Sequence, residues 1–361
     1  MYKRQRITRG EVGSLVVAHG SALAPAERDR LQRIAVERSR LGIPVLFGFD
    51  VIHGYRTLFP IPLGIAASWN PELAEASARI AASEASACGI DLTFSPMVDV
   101  ARDPRWGRIS EGSGEDVLLN AVFGAALVRG YQGDDPSKQG RIGACVKHFV
   151  GYGAALGGRD YQFTELSERA LRETYLPPFK ACVDAGAVSV MSAFNDISGT
   201  PASANALTLD RILRKEWGFD GFVLSDWKAV TELQEHGIAA DGAEAAVKAL
   251  TAGVDMEMTS DLYLTTLEQS VREKRLPAAL VDRAVRAVLR VKFRLGLFDR
   301  PFRSHPEPDR MLLTPEARRT ARQLAAESMV LLKNDGVLPL SPDLRSITVT
   351  GEWAVSRDLY G

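Results

Sequence analysis

The feature that most constrains this chain is a repeat of short apolar runs, separated by alanine-rich stretches at intervals of about thirty to fifty residues. Seven of these runs have the length and the β-branched content of parallel strands that are buried on both faces. They span residues 13–18, 43–49, 92–96, 142–149, 187–193, 221–225 and 254–258. The alternation therefore predicts an α/β fold built on a parallel sheet.

The stretches between the runs carry the residues that begin and end helices. Asn70 and Pro71 stand at the start of one alanine-rich stretch, where an amide side chain caps the first turn and proline fits without loss of a hydrogen bond. Asp241 and Gly253 bound a later stretch, because glycine readily adopts the backbone conformation that ends a helix. These signals predict strand–helix units that follow one another along the chain.

Two architectures use such units, an open doubly wound sheet and a closed barrel. An open sheet usually carries a glycine-rich phosphate loop after an early strand, and neither G-x-G-x-x-G nor the P-loop pattern occurs here. A (β/α)8-type TIM barrel is therefore the favoured fold. Because the pattern yields seven strands rather than eight, we expect the ring to lack its first strand.

The sequence predicts three regions. Residues 1–300 form the catalytic barrel domain, and residues 301–345 form a linker with a helix at 314–333. The alternation in 346–351 predicts a β-strand, so residues 346–361 are interpreted as the first strand of a truncated α/β sandwich domain.

The charge balance argues against a nucleic-acid or membrane partner. Forty-four basic residues face forty-five acidic ones, which leaves no net field to attract a polyanion. The three cysteines show no zinc or redox spacing, so we predict no metal and no cofactor. Neither a signal peptide nor an apolar stretch of about 18 residues is evident. The location stays open: periplasmic or secreted if a targeting peptide preceded the chain, otherwise cytoplasmic.

Polar residues follow several predicted strands. Asp50, Asp99, His148, Asp226 and Glu257 all stand where a strand gives way to a loop. In barrels of this kind the catalytic groups lie at the carboxyl ends of the strands. Several carboxylates with a few cations suit glycoside chemistry, in which carboxyl groups attack or protonate the sugar.

Four motifs carry a family resemblance. They are Gly-Phe-Asp-Val-Ile-His-Gly at 48–54, Arg-Asp-Pro-Arg-Trp-Gly-Arg at 102–108, Lys-His-Phe at 147–149 and Leu-Ser-Asp-Trp at 224–227. In this order and spacing they resemble glycoside hydrolase family 3, and most closely its bacterial β-glucosidases. The resemblance covers the chain from about residue 10 to its end.

The resemblance implies a role for seven residues. Asp226 would be the catalytic nucleophile and would form a covalent glycosyl-enzyme. The other six would contact the substrate: Asp50, Arg108, Lys147, His148, Trp227 and Met191. In this interpretation Asp50 accepts hydrogen bonds from sugar hydroxyls, whereas Arg108, Lys147 and His148 donate hydrogen bonds to other hydroxyls. We also expect Lys147 and Arg108 to lower the pKa of Asp226.

Four of these binding residues also have a structural explanation. Arg108 would then pair with Glu111 or Asp116, while His148 and Met191 would belong to the core. Trp227 would pack at the barrel top without touching a ligand.

The chain departs from the family pattern at two places. Many members have a tyrosine that hydrogen-bonds the nucleophile, and Phe194 stands at that position here. The family's glucosidases take the acid/base residue from a C-terminal domain, which is missing from this sequence. Members that act on N-acetylglucosaminides use an Asp-x-His pair in this region. Residues 157–163 contain no histidine, so this activity is disfavoured.

The resemblance therefore implies a retaining, exo-acting β-glycoside hydrolase. The favoured activity is that of a β-glucosidase releasing glucose from the non-reducing end of a β-glucoside or oligosaccharide. A β-xylosidase or mixed specificity is the first alternative, although xylosidase-like members tend to have glutamate where this chain has Asp50. The second is a catalytically silent, carbohydrate-binding barrel.

Overall fold

Seven parallel strands form one curled sheet in the computed structural model, which describes residues 2–17, 25–351 and 354. The strands lie side by side in chain order, each paired in parallel with the next. They are β1 (Ser14–Val16), β2 (Leu46–Phe49), β3 (Leu92–Thr93), β4 (Gly143–Phe149), β5 (Ser189–Ser192), β6 (Phe222–Trp227) and β7 (Met256–Met258). All seven predicted strands are confirmed, and Ala18, the end of the first predicted run, lies outside the described residues.

Helices connect the strands and cover the outside of the sheet. They are α1 (Tyr2–Thr8), α2 (Pro25–Arg38), α3 (Pro62–Ala67), α4 (Pro71–Ala87), α5 (Val117–Gln132), α6 (Leu176–Asp184), α7 (Gly242–Ala252), α8 (Leu262–Arg272), α9 (Ala278–Arg294) and α10 (Pro315–Glu327). A short helix, Glu168–Ala170, and a π-helical turn, Leu171–Tyr175, lead into α6, and a π-helix, Leu207–Glu216, precedes β6. The predicted caps are confirmed, since the Asn70 and Asp241 side chains accept hydrogen bonds from the first turns of α4 and α7.

The inside of the barrel is lined by apolar side chains from the strands. Leu46, Leu92, Phe222 and Leu224 are buried there, and Val291 of α9 packs against the same cluster. Because a parallel sheet buries both faces, the apolar side chains of the strands need this inner core as well as the helices outside. Helix α9 therefore belongs to the barrel.

Small residues allow the outer helices to approach closely. Helix α4 is rich in alanine, and Gly130 of α5 faces it across the contact. A Cβ atom at Gly130 would lie 2.4 Å from the backbone oxygen of Glu75 in α4, so a larger residue would push the two helices apart. In the described ranges no helix is both long and apolar enough to cross a membrane.

The sheet stays open between its two edge strands. Within the described residues β1 and β7 are not paired, although Ser14 Oγ lies 3.3 Å from the Met256 sulfur. Arg6 spans the same gap in a bidentate ion pair with Asp261, at 3.0 and 2.8 Å. A cavity of about 610 Å³ lies along this seam. The predicted barrel is therefore confirmed as a seven-stranded, open one.

The prediction of a strand at 346–351 is wrong. These residues are exposed and form no strand, because no other segment of the described chain lies beside them to take up their backbone hydrogen bonds. The predicted helix at 314–333 ends earlier, at Glu327, soon after Leu324, its last buried residue. The domain division at residues 300 and 345 stays a prediction, and 352–353 and 355–361 lie outside the described residues.

Buried polar side chains complete the backbone hydrogen bonds at the amino ends of the strands. Gln132, at the end of α5, accepts hydrogen bonds from the backbone N–H of Ala144 at 3.0 Å and of Val188 at 3.2 Å. Its side-chain amide donates to the Gly186 carbonyl at 2.8 Å. One glutamine thus joins α5 to the start of both β4 and β5.

We predict that Gln132→Ala lowers the free energy of unfolding by about 2–4 kcal/mol, since it leaves buried backbone groups without hydrogen-bond partners. Urea denaturation would measure this loss. The matched control is Gln269→Ala on the exposed side of α8, where a change within about 0.5 kcal/mol is expected. Equal stabilities of the two variants would refute the role assigned to Gln132.

Candidate active site

All seven residues singled out from the sequence line one cavity of about 320 Å³ at the carboxyl ends of the strands. Strands β2, β4, β5 and β6 supply six of them at or just after their ends, and a short helical turn, Gly107–Glu111, supplies Arg108. The rest of the lining is formed by Val16, Ile52, Phe94, Glu111 and Met258. Residues far apart in the chain are thus brought together as the barrel prediction requires.

Asp226 lies near the end of β6 and is held by its neighbours in the chain. The Trp227 backbone N–H donates to Asp226 Oδ1 at 2.6 Å. Ser225 Oγ donates to the Asp226 carbonyl and accepts from the Met258 backbone N–H at 2.8 Å, which ties this strand end to β7. Asp226 Oδ2 is buried without a hydrogen-bond partner and lies 3.4 Å from His148 Nε2. One carboxylate oxygen of Asp226 is therefore buried with its hydrogen-bonding capacity unused.

Lys147 and Arg108 lower the pKa of Asp226 as expected, but the net shift of this pKa is upward. Burial raises this pKa from 3.8 to about 6, and it outweighs the opposite effects of the Trp227 N–H, Lys147 and Arg108. The Asp50 charge adds to the increase. Asp226 is only 8 % exposed, so water does little to stabilise its charge.

The two cations of the cavity are already paired with other carboxylates. Lys147 Nζ lies 3.1 Å from Asp50 Oδ1. Arg108 forms a bidentate pair with Glu111, at 2.7 and 3.1 Å. Of the two structural partners considered for Arg108, Glu111 is thus the one found, and the cavity has an alternating pattern of charges.

The geometry around His148 fixes which nitrogen carries the proton. Arg108 donates to His148 Nε2 at 3.0 Å, so this nitrogen accepts, and Nδ1–H donates to Asp99 Oδ2 at 2.8 Å. Burial and the charges of Arg108 and Lys147 hold the pKa of His148 well below its usual range, which keeps the ring neutral. In this arrangement Nε2 is an acceptor, which contradicts the expectation that His148 donates to a sugar hydroxyl.

Asp99 and Glu111 are the site residues to which sequence reasoning gave no role of their own. Asp99 is buried and also accepts the His148 backbone N–H at 3.0 Å, and burial raises its pKa to about 7. Its place after the third predicted strand was the available signal. Glu257, another strand-end carboxylate, accepts from Ser260 Oγ and the Tyr263 N–H at the start of α8 instead.

The remaining residues form the walls of the cavity. Met191 is 3 % exposed and belongs to the inner core, so it has both the structural and the lining position considered for it. Trp227 is 51 % exposed and stands at the rim. Phe194 packs near His148, with ring centres 6.5 Å apart, and has no hydroxyl to offer Asp226.

We predict that Asp226→Asn stabilises the fold at neutral pH. The pKa of Asp226 is higher in the folded chain, at about 6, than its ordinary value of 3.8, so ionisation costs folding stability above pH 6 and the cost vanishes below about pH 4. The neutral amide avoids it, and we expect a gain of about 2–3 kcal/mol at pH 7.5 and little change at pH 4. Urea unfolding at both pH values measures it.

The matched control is Asp184→Asn on α6, whose side chain is 60 % exposed. It should change stability little at either pH. A loss of stability in Asp226→Asn at pH 7.5 would contradict the buried, unfavourable carboxylate described above.

We also predict that Asp99→Ala lowers the free energy of unfolding by about 2–4 kcal/mol, because two buried N–H groups of His148 lose their acceptor. Asp99→Asn keeps an acceptor oxygen at this position and should lose less. Chemical denaturation of both variants tests the difference. If alanine and asparagine were equally well tolerated, Asp99 would not hold His148 as the distances indicate.

The chain is similar in sequence and fold to known proteins. Residues 2–291 match the model of the glycosyl hydrolase family 3 N-terminal domain. The chain is 42% identical over 366 aligned residues to a periplasmic β-glucosidase of Salmonella typhimurium, which covers 99% of this chain and 47% of that protein. A β-xylosidase of Formosa agariphila is 37% identical over 340 residues, covering 88% of this chain and 47% of the relative.

The crystal structure of a β-glucosidase from Listeria innocua has a similar fold, with a TM-score of 0.87 and 44% identity, over 91% of this chain and 45% of that one. The chain spans about half the length of the relatives it matches. Because the family model covers most of the chain, we conclude that it belongs to glycosyl hydrolase family 3 and carries the family's N-terminal domain.

Proposed function

We propose that this chain is the nucleophile-bearing, sugar-binding part of a retaining, exo-acting β-glucosidase. The observation that carries the proposal is the single cavity in which Asp226 meets the six predicted binding residues. Relatives named β-glucosidase support the same substrate class.

In the proposed reaction, a carboxylate oxygen of Asp226 attacks the anomeric carbon of a β-glucoside. The bond from that carbon to the leaving oxygen breaks, and the leaving oxygen takes a proton from a general acid. Water then hydrolyses the glycosyl-enzyme and releases glucose with retained configuration. Because the pKa of Asp226 is about 6, most of the carboxylate is ionised at neutral pH and able to attack.

The general acid is proposed to come from a second domain of the same enzyme. The other two carboxylates that line the cavity, Asp50 and Glu111, are held in ion pairs with Lys147 and Arg108, so neither is proposed as the proton donor. A retaining enzyme needs a protonated carboxyl about 5–5.5 Å from the nucleophile. The partners we propose are thus a β-glucoside and this second domain.

The remaining residues would recognise the sugar. Asp50 has a side chain that is 37% exposed, so its carboxylate can accept hydroxyl hydrogen bonds while it holds Lys147. Lys147 and Arg108 would donate to other hydroxyls, and His148 Nε2 would accept from one if Arg108 turns toward the sugar. Trp227 and Met191 would supply apolar contacts to the ring.

We predict that 2-deoxy-2-fluoro-β-D-glucosyl fluoride labels this chain once, on Asp226. Fluoride leaves without a proton donor, so the label tests the nucleophile without a second domain. Intact-mass and peptide mass spectrometry should find one fluoroglucosyl group on the peptide that contains Asp226.

Asp226→Ala should abolish labelling, and Asp184→Ala, which removes an exposed carboxylate on α6, should leave it unchanged. Labelling of another residue, or of Asp226→Ala, would overturn the assignment of the nucleophile. Absence of any label on the unmodified chain would count against glucosidase chemistry in this barrel.

A β-xyloside is the second candidate substrate, because a β-xylosidase is among the relatives at 37% identity. Xylose lacks the hydroxymethyl group of glucose, so the two sugars differ at one side of the same cavity. Labelling rates with the fluoroglucosyl and fluoroxylosyl fluorides compare them directly. We expect the glucosyl reagent to react faster, and a faster xylosyl reagent would reassign the substrate.

A further inference from the structure

A second cavity, of about 360 Å³, adjoins the site and has no part in the mechanism above. It is lined by Tyr161, Phe194, Glu232, Glu235 and His236. We call it the carboxylate cavity. Its aromatic and acidic lining differs from the alternating charges around Asp226.

The carboxylate cavity lies beside the nucleophile. Phe194 forms part of its wall and packs near His148, whose Nε2 is 3.4 Å from Asp226 Oδ2. The charges also interact: burial raises the pKa of Glu232, and the charges of Glu235 and Asp226 raise it further. A glycoside held with its anomeric carbon at Asp226 would therefore have room for its leaving group here.

An aromatic wall is held in place on one side. The Tyr161 ring is 57 % exposed and stands edge-on to Phe194, with ring centres 4.8 Å apart. Tyr161 has a φ of 62°, a backbone conformation that residues other than glycine rarely adopt. His236 Nε2 donates to the Phe194 carbonyl at 3.2 Å, which ties His236 to the same aromatic residue. Such an exposed ring can stack on a sugar or aryl group.

The two carboxylates of this cavity differ from those around Asp226 because neither is in an ion pair. Within the described part of the chain, Glu232 and Glu235 have no salt-bridge partner, whereas Asp50 and Glu111 each have one. The charge of Lys228 lowers the pKa of Glu232, but its effect is smaller than those of Glu235 and Asp226. The cavity therefore has a negative potential.

We propose that the carboxylate cavity is the leaving-group subsite and that Glu232 and Glu235 select glycosides whose leaving group carries an amine over those whose leaving group carries a carboxylate. A cationic group gains Coulomb attraction from both side chains and from the face of Tyr161. An anionic group is repelled by the same charges. This inference rests on the proposed function, since it requires the sugar to lie at Asp226.

The test is a binding titration of the chain with three thioglucosides that resist hydrolysis: phenyl, 4-(aminomethyl)phenyl and 4-carboxyphenyl β-D-thioglucoside. Glucose serves as the ligand that fills only the cavity around Asp226. We expect the ammonium ligand to bind more tightly than the phenyl ligand, and the carboxylate ligand more weakly. In the double variant Glu232→Gln/Glu235→Gln, the ratio of the two charged ligands' Kd values should shrink about fivefold.

Two controls make the outcome specific. Glucose should bind the double variant as it binds the unmodified chain, because neither glutamate lines the cavity around Asp226. Glu268→Gln/Glu273→Gln removes two charges from the end of α8 and should leave every Kd ratio unchanged.

Equal affinity for the ammonium and carboxylate ligands, with glucose binding retained, would overturn the subsite and leave the proposed function standing. An unchanged ratio in the double variant, or the same change in the α8 control, would also overturn it. Loss of binding for glucose and all three thioglucosides would overturn the proposed function itself.

Discussion

Parallel strands that curl into a barrel all end at the same rim, and the candidate site depends on this constraint. Asp50, Lys147 and Asp226 are far apart in the sequence, yet each stands at the end of a strand and reaches one cavity. The opposite ends of the strands are closed by buried polar groups such as Gln132 and by helix α9. The candidate site thus lies at the carboxyl ends of the strands, as in barrels of this kind.

Burial sets the electrostatics of the rim. Lys147 and Arg108 are close enough to act on Asp226, but each is already paired with another carboxylate, and the desolvation of Asp226 outweighs what remains of their attraction. The result is a carboxylate with one unpartnered oxygen and a pKa of about 6. Such a group is poorly solvated, and in the proposed reaction its charge would be relieved by bonding to the sugar. The cost to folding and the proposed catalytic use thus have the same cause.

Most of the fold could be predicted because local rules and tertiary structure agree. The seven apolar runs, the Asn70 cap and the Asp241 cap all form as their residue types indicate. The strand at 346–351 does not form, because a strand needs a neighbour and sequence pattern alone cannot show whether one is present. The opening between β1 and β7 agrees with the sequence pattern, which predicts seven strands rather than the eight of a closed barrel.

The site could be predicted in its members and less well in its chemistry. The motifs identified the residues that line the cavity, but which cation pairs with which carboxylate is a matter of distance. The sign of the pKa shift of Asp226, the acceptor role of His148 Nε2 and the supporting role of Asp99 all depend on burial and side-chain geometry. None of these can be read from spacing.

A crystal structure of the Asp226→Asn chain soaked with glucose would show where the sugar binds. We expect one glucose in the cavity lined by Asp50, Lys147 and Trp227, with its anomeric carbon next to residue 226. Glucose bound instead in the larger cavity at the seam between β1 and β7, with the cavity around Asp226 empty, would contradict this assignment of the sugar site.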